Sequence, residues 1–320
     1  MLPAQVHRLG LALHADWSID PRKRWMTSAH PLSSGWVLSA ARPVGELAGW
    51  TQRLQAEAGD GAVAIGVDFP LGLPRRYAEL HATEAADFPA FLRRLANHPS
   101  FFSVCSTLDD VEPARPFYPA RGVAGMTRAA HAQALGLGGA DGLSRACDRA
   151  TALRPAGAPI FWTLGANQTG KAAISAWRDW LLPSFAAGDA LRLWPFEGAM
   201  TDLLTPGAVV VAETYPAEAM RQRGLKLSGS KRRQSDRAAL ASALFAELDQ
   251  RRAVPDDALV AEIRDGFGSD AAGEDRFDSL LGLLGLLAVL DGAQPDFIPD
   301  DPWIKRWEGW VLGQTELPRC

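Results

Sequence analysis

Four carboxylates stand where predicted secondary-structure elements begin or end. Asp16, Asp68 and Glu213 each close an apolar run typical of a buried strand, and Asp278 precedes the apolar run of a helix. Acids brought to element ends by separate parts of the chain suggest one shared cluster, which would repel itself unless cations occupied it. Mg²⁺ and Mn²⁺ prefer such oxygen ligands. All four residues are therefore candidate metal ligands and catalytic groups.

Asp68 and Glu213 share a local pattern. Asp68 follows the apolar run 62–67, Glu213 follows the run 209–212, and a proline comes soon after each acid. Because proline cannot extend a ladder of hydrogen bonds, each carboxylate is expected at a sheet edge, where α/β sheets bind ligands. The alternatives are a turn cap for Asp68 and a salt bridge to an arginine for Glu213, since buried glutamates need partners.

Asp278 lies at the start of the most apolar helix predicted from the sequence, from about 275 to 290. Asp275 lies three residues earlier and is expected on the same helix face. Either acid could instead cap the helix or occupy its first turn, where negative charge is favourable. Asp278 is the better ligand candidate because it directly adjoins the buried run.

A basic segment, 226–237, lies between Glu213 and Asp278 and contains five cations. Such a segment at a loop and helix start could hold phosphates. A solvated charge run is an equally good interpretation of the segment alone. The candidate substrate-binding residues are Lys231, Arg232, Arg233 and Arg237.

Composition limits the class of protein. The 320 residues carry a net charge of −4, so any contact with nucleic acid must use local basic patches. Three widely spaced cysteines without a CxxC pair favour a reducing, cytoplasmic setting over a zinc site or disulfide framework. We expect no signal peptide, and the longest apolar stretch, 280–290, is too short to span a bilayer.

Two other chemistries find weaker support. The segment Gly165–Ala172 has the glycine and lysine frame of a phosphate-binding loop, but Ala172 stands where a Ser or Thr should bind Mg²⁺. There is no Gly-x-Ser-x-Gly elbow and no His-x-x-x-His pair, which argues against hydrolases of those types. His14 is the one histidine close to a candidate acid, and a core histidine is its default interpretation.

Apolar runs predict strands at 9–17, 24–28, 36–41, 62–69, 190–194 and 208–213. Helical spacing predicts helices at 44–58, 88–96, 126–135, 144–153, 233–248, 257–263 and 275–290. Strand signals are sparse between the fourth and fifth runs. We therefore expect a single domain over 1–320, with a core at 8–75 and 190–313 and a mostly helical insertion at 76–189.

Together, the segments around Asp68, Glu213 and Asp278 and the Ser-Lys-Arg-Arg run at 230–233 resemble domain of unknown function family 429, described as predicted nucleases of ribonuclease H fold. The resemblance implies an α/β fold with a mixed five-stranded sheet of order 3-2-1-4-5, flanked by helices. It also implies that Asp16 and Asp68 face each other, with Glu213 on the next strand and Asp278 on the final helix.

The function expected from the resemblance and the acids is metal-dependent hydrolysis of nucleic acid phosphodiesters. Two Mg²⁺ or Mn²⁺ ions would bridge the four carboxylates. The partner would be structured or single-stranded nucleic acid without sequence readout, and no membrane. Two alternatives stay open: an actin-like or sugar-kinase-like phosphotransferase, which would need a glycine-rich hairpin that 16–26 lacks, and a non-catalytic binding protein on a nuclease scaffold.

Overall fold

The computed structural model describes residues 8–122, 124–165 and 169–319. A seven-stranded mixed sheet of order β5-β6-β4-β1-β2-β3-β7 forms its centre. The strands are β1 Leu9–Asp16, β2 Trp25–Leu32, β3 Gly35–Pro43, β4 Ala62–Val67, β5 Leu191–Leu193, β6 Val209–Glu213 and β7 Ala253–Pro255.

The first three strands form an antiparallel meander, and the other pairings are parallel. The run 3-2-1-4 around β1 is present, but the sheet has seven strands where five were expected. The strand beside β4 is β6, and the shorter β5 lies outside it. At the other edge, the three-residue β7 extends β3. A strand this short carries too little periodicity to be recognised from sequence.

In the described ranges, twelve α-helices surround the sheet. They are α1 Trp50–Ala58, α2 Arg75–His81, α3 Phe88–Arg94, α4 Arg128–Ala134, α5 Thr169–Ala176, α6 Leu182–Ala186, α7 Met200–Leu203, α8 Pro216–Gln222, α9 Gln234–Ala238, α10 Ala241–Gln250, α11 Asp257–Asp265 and α12 Gly273–Leu290. One π turn, Trp177–Leu181, joins α5 to α6. The helix predicted over 233–248 is divided into α9 and α10.

Side-chain alternation along the central strands builds two cores, one on each face of the sheet. Leu11, Leu13 and Ala15 of β1 face the first core with the insertion and α1, and the neighbouring Ala12 faces the second core with α12. Helix α12 packs across β1 and β2 and is apolar on nearly all sides, as a helix buried inside a domain must be. We refer to these surfaces as the insertion face and the α12 face.

Within the described part of residues 76–189, the elements are α-helices, 3₁₀ turns and the π turn Trp177–Leu181, and extended pairing is limited to isolated bridges. The helix expected at 144–153 is wrong, because only the 3₁₀ turn Ala146–Asp148 forms there. The segment instead places the buried Arg145 side chain against Glu213, at the end of β6. Among the described helices, none is long and apolar enough to cross a membrane.

Candidate functional site

Asp16 and Asp68 meet at the carboxyl ends of the two central strands. The parallel register pairs Ala15 of β1 with Val67 of β4, so the two acids follow at matching positions. Their carboxyl groups share a hydrogen bond, and the backbone N–H of Trp17 donates to Asp68 Oδ1 at 2.7 Å. The strand order thus brings together two acids that lie far apart in sequence.

The pKa values of both acids are raised, as expected for neighbouring carboxyl groups without a bound cation. Burial raises the pKa of Asp16 well above its usual range, and the neighbouring Asp68, Asp278 and Asp275 raise it further. Burial also raises the pKa of Asp68 to about 7, against the opposing effect of the Trp17 N–H. Two like charges this close cannot both ionise readily without a cation. In the metal-free protein the pair therefore holds a proton more tightly than two separate, solvated carboxyl groups would.

Asp278 completes this group from α12. Because the helix begins at Gly273, Asp278 lies more than one turn inside it and is not the cap, which is Ala272. Its Oδ2 accepts a 2.5 Å hydrogen bond from Lys231 Nζ. Burial raises the pKa of Asp278 despite this ammonium group. Burial lowers the pKa of Lys231, but attraction to Asp278 outweighs that effect and the net pKa is raised.

Two carboxylate oxygens of α12 are buried without a partner. Within the described residues, Asp278 Oδ1 and Asp275 Oδ2 have no hydrogen-bond donor. Burial raises the pKa of Asp275 to about 6, and Asp278 adds to the shift. A buried acceptor without a donor carries a desolvation cost, which a bound cation would offset. The oxygen-only donor set fits Mg²⁺ or Mn²⁺.

His14 lies behind the acids on the same face of β1, two residues before Asp16. It is fully buried, neither ring nitrogen has a partner among the described atoms, and burial lowers its pKa to about 3. A Cβ on Gly66 would lie 3.0 Å from the ring, and a Cβ on Gly282 would lie 2.3 Å from it. The two glycines thus make room for a neutral imidazole that closes the inner end of the site.

Glu213 does not join the other three acids. In the register of β4 and β6, Glu213 pairs with Val67, which faces the insertion core, whereas Asp68 points to the α12 face. Alternation places Thr214, not Glu213, beside the site, and Thr214 Oγ1 would lie 2.9 Å from a Cβ on Gly66. The expectation that Glu213 completes the cluster is therefore wrong. Glu213 aligns with Val67 and not with Asp68, and this offset of one residue turns its side chain to the opposite face of the sheet.

Glu213 is instead the centre of a buried ion-pair network. Arg145 donates to both of its carboxylate oxygens at 2.7 Å and also pairs with Asp148. Tyr215 Oη and the Leu71 N–H donate to Glu213 as well. The salt bridge to an arginine, the alternative interpretation of Glu213, is the arrangement present. It ties the insertion to the end of β6.

Cys147, Asp148 and Glu213 place potential ligand atoms within 4.8 Å of one another. The Arg145 guanidinium already engages both carboxylates of this group. Burial also raises the pKa of the Cys147 thiol well above its usual range. A cation bound here would have to compete with the guanidinium group for both carboxylates and would be repelled by its charge. We therefore assign this cluster to the ion-pair network and not to a metal.

The four candidate substrate-binding cations have different environments. Lys231 is partly buried against Asp278, while the side chains of Arg232 and Arg233 are 81% and 67% exposed. Arg237 is buried, and its guanidinium donates to the backbone carbonyls of Lys231, Gly266 and Gly268. Arg237 is therefore occupied in holding the Lys231 loop and cannot reach a substrate, contrary to expectation.

A cavity of about 330 Å³ opens beside Lys231. Its wall combines apolar and cationic side chains: Ala217, Met220 and Leu225 with Arg221, Lys226 and Lys231. Arg221 is paired with Glu218, whereas Lys226 is exposed. The cavity is large enough for a small organic group and adjoins the acids through Lys231.

Sequence patterns missed several residues that shape the site. The positions of Thr214 and Gly66 beside the site depend on the register of β4 and β6. Gly282 lies one helical turn after Asp278, and this spacing could have predicted that both residues lie on the same face of α12. Arg145 gave no local signal. Residues 166–168 of the segment resembling a phosphate-binding loop lie outside the described residues.

Of protein-family models, curated proteins and solved structures, none matches this chain.

Proposed function

We propose that this chain is a divalent-metal-dependent nuclease with a ribonuclease H-like arrangement of its central strands. The observation that carries the proposal is the meeting of Asp16, Asp68 and Asp278, each with a pKa raised by burial. Clusters of perturbed acids in one place favour a functional site over a set of helix and turn caps. The resemblance to domain of unknown function family 429 supports the same activity.

Asp16, Asp68 and Asp278 would hold Mg²⁺ or Mn²⁺ through carboxylate oxygens. A bound divalent ion supplies an activated water and neutralises charge on a phosphodiester as its bond to the leaving oxygen breaks. The unpartnered Asp278 Oδ1 is available as a ligand, and the Trp17 N–H fixes the orientation of Asp68. Glu213 is left out of the ligand set because it faces the opposite side of the sheet.

Surrounding groups favour a polymeric, anionic substrate. Arg232 and Arg233 extend from the loop next to Lys231 and would contact phosphates of a nucleic acid strand. The apolar wall of the cavity near Met220 suits a base or sugar better than a bare phosphate. These contacts are to backbone and to nonspecific base surfaces, so the proposed substrate is structured or single-stranded nucleic acid without a fixed sequence.

The test is cleavage of labelled DNA and RNA oligonucleotides, single-stranded and hairpin, with Mg²⁺, with Mn²⁺ or with chelator. Asp68→Asn should abolish divalent-dependent cleavage, while Asp300→Asn, at a side chain that is 99% exposed, should leave it unchanged. Full activity of Asp68→Asn, or cleavage that survives chelation, would refute the proposal. Binding of Mn²⁺ and oligonucleotide without any cleavage would instead support a non-catalytic binding protein.

A further inference from the structure

The Lys231 side chain reaches the acid cluster and occupies one of its carboxylate oxygens, Asp278 Oδ2. Its Nζ lies 2.5 Å from Asp278 Oδ2, and only 29% of the side chain is exposed. A lysine in a loop normally extends into water, where its charge is best solvated. Here the ammonium group is partly buried and lies against one carboxylate of the proposed metal site.

The loop around Lys231 is braced so that the ammonium group stays in this position. The buried Arg237 donates to the Lys231 carbonyl and to the carbonyls of Gly266 and Gly268, which lead into α12. Asp236 accepts from the Ser230 N–H at 2.8 Å. The loop is thus fastened at Ser230 to α9, and Arg237 links the Lys231 carbonyl to the segment that leads into α12.

From this geometry we propose that Lys231 occupies the place of a second cation, so the site binds one divalent ion and not two. This inference rests on the proposed metal site. The three proposed ligands and the Lys231 ammonium group together carry two negative charges when all are ionised, which matches a single divalent ion; Asp275 lies beside this ligand set. A second ion would have to share Asp278 with Lys231 and would be repelled by it.

The roles of the chain's own groups then differ along the cluster. Asp16 and Asp68 would hold the ion, with Asp278 contributing its free Oδ1. Lys231 lies at the junction between the acids and the cavity lined by Met220 and Lys226, where its charge would attract a substrate phosphate. The phosphate would then be held by the Lys231 ammonium group on one side and by the metal-binding acids, through their ion, on the other.

Stoichiometry tests this inference directly, in the full chain and without substrate. Calorimetric titration with Mn²⁺, combined with electron paramagnetic resonance of the bound ions, should show one isolated Mn²⁺ per wild-type chain. Lys231→Met should bind a second ion, with a spin-coupled spectrum, or bind the first at least about tenfold more tightly. Lys231→Arg, which keeps the charge, should remain at one ion.

Two outcomes would overturn the inference. One is two coupled ions in the wild-type chain, a result that needs no variant and does not depend on how well Lys231→Met folds. The other is a folded Lys231→Met that binds one ion with unchanged affinity. Either result leaves the proposed nuclease function standing. Absence of any Mn²⁺ binding in the wild type would remove the proposed metal site itself, so the two failures are distinguishable.

Discussion

The Asp16 and Asp68 carboxyl groups lie within hydrogen-bonding distance of each other across the junction of β1 and β4. Asp16 ends the largely buried β1, Asp68 follows the fully buried β4, and the Trp17 N–H holds Asp68 in place. Protein folding therefore places two acids together at the cost of keeping one of them protonated. Such a pair stores unfavourable electrostatic energy that a bound cation relieves, which makes its ionisation a measurable property.

We expect the stability of the metal-free protein to fall as the pH rises from about 4 to about 7. Asp68 has a folded-state pKa of about 7, above the value near 4 of an unfolded aspartate. The folded state thus binds more protons in this interval, so the protonated, low-pH form favours folding and that advantage is lost with rising pH. Each pKa unit corresponds to about 1.4 kcal/mol.

The measurement is the free energy of unfolding against pH in chelator, for wild type, Asp68→Asn and Asp300→Asn. The decline should be much smaller in Asp68→Asn, and Asp300→Asn should follow the wild type. Mn²⁺ should restore stability at the upper end of the range, because it binds the ionised carboxylates of the folded state. Parallel curves for wild type and Asp68→Asn would contradict the assigned pKa shift.

Glu213→Gln should lower stability without removing Mn²⁺ binding at the Asp16–Asp68 pair. The change leaves Arg145 buried with a weaker partner, and breaking a buried ion pair typically costs about 3 to 5 kcal/mol. The acid pair lies on the other face of the sheet. Thermal unfolding and Mn²⁺ calorimetry on the folded variant measure the two effects separately.

Asp16→Asn is the matched control for Glu213→Gln, since it also replaces one strand-end carboxyl group by an amide. It should lose Mn²⁺ affinity and keep the ion-pair network around Arg145. If Glu213→Gln lost metal binding as completely as Asp16→Asn while remaining folded, Glu213 would have to be returned to the ligand set.

The position of Glu213 also shows what the sequence can predict. The apolar runs located β1, β4 and β6 correctly to within two residues, because buried strands are continuous in hydrophobicity. They could not give the face on which each closing acid points, since one residue of register reverses it. Arg145 was unpredictable for a related reason: its partnership with Glu213 is long-range, and its own segment resembled a helix.

Asp278 illustrates the opposite case. It adjoins the buried run of α12 and is not the cap of that helix, which begins two residues before the start that its apolar pattern predicts. Polar first turns carry no hydrophobic periodicity, so helix starts are poorly defined by sequence. The convergence of Asp278 with Asp16 then depends on how α12 packs on the sheet, which periodicity does not specify.

Arg237→Lys should lower the stability of the protein by loosening the loop that carries Lys231. Arg232→Ala should instead lower the affinity for nucleic acid. The Arg237 guanidinium serves three carbonyl groups, and a lysine cannot replace that planar set of donors. We expect a loss of about 1 to 3 kcal/mol in stability from the unsatisfied carbonyls. The exposed Arg232 should affect stability little but reduce the salt slope of oligonucleotide binding by about 0.7 to 0.9.

Thermal unfolding and oligonucleotide titration at several salt concentrations measure both variants. The loss of stability and the change in salt slope should occur in different variants, since Arg237 is buried and Arg232 faces solvent. A fully stable Arg237→Lys that binds oligonucleotide more weakly would show that the Arg237 guanidinium contacts phosphate after all.

Gly282→Ala should destabilise the protein, although alanine favours helices. The added methyl would lie 2.3 Å from the His14 ring, which is enclosed on its other side by Gly66 and Thr214 and cannot retreat. Overpacking of this kind costs about 1 to 3 kcal/mol, against a helix gain of up to about 1 kcal/mol. In a His14→Ala background the clash is absent, so the same Gly282→Ala change should become neutral or stabilising. A double-mutant cycle of unfolding free energies measures the coupling, and additive effects of the two changes would show that the ring does not fill the space between β1 and α12.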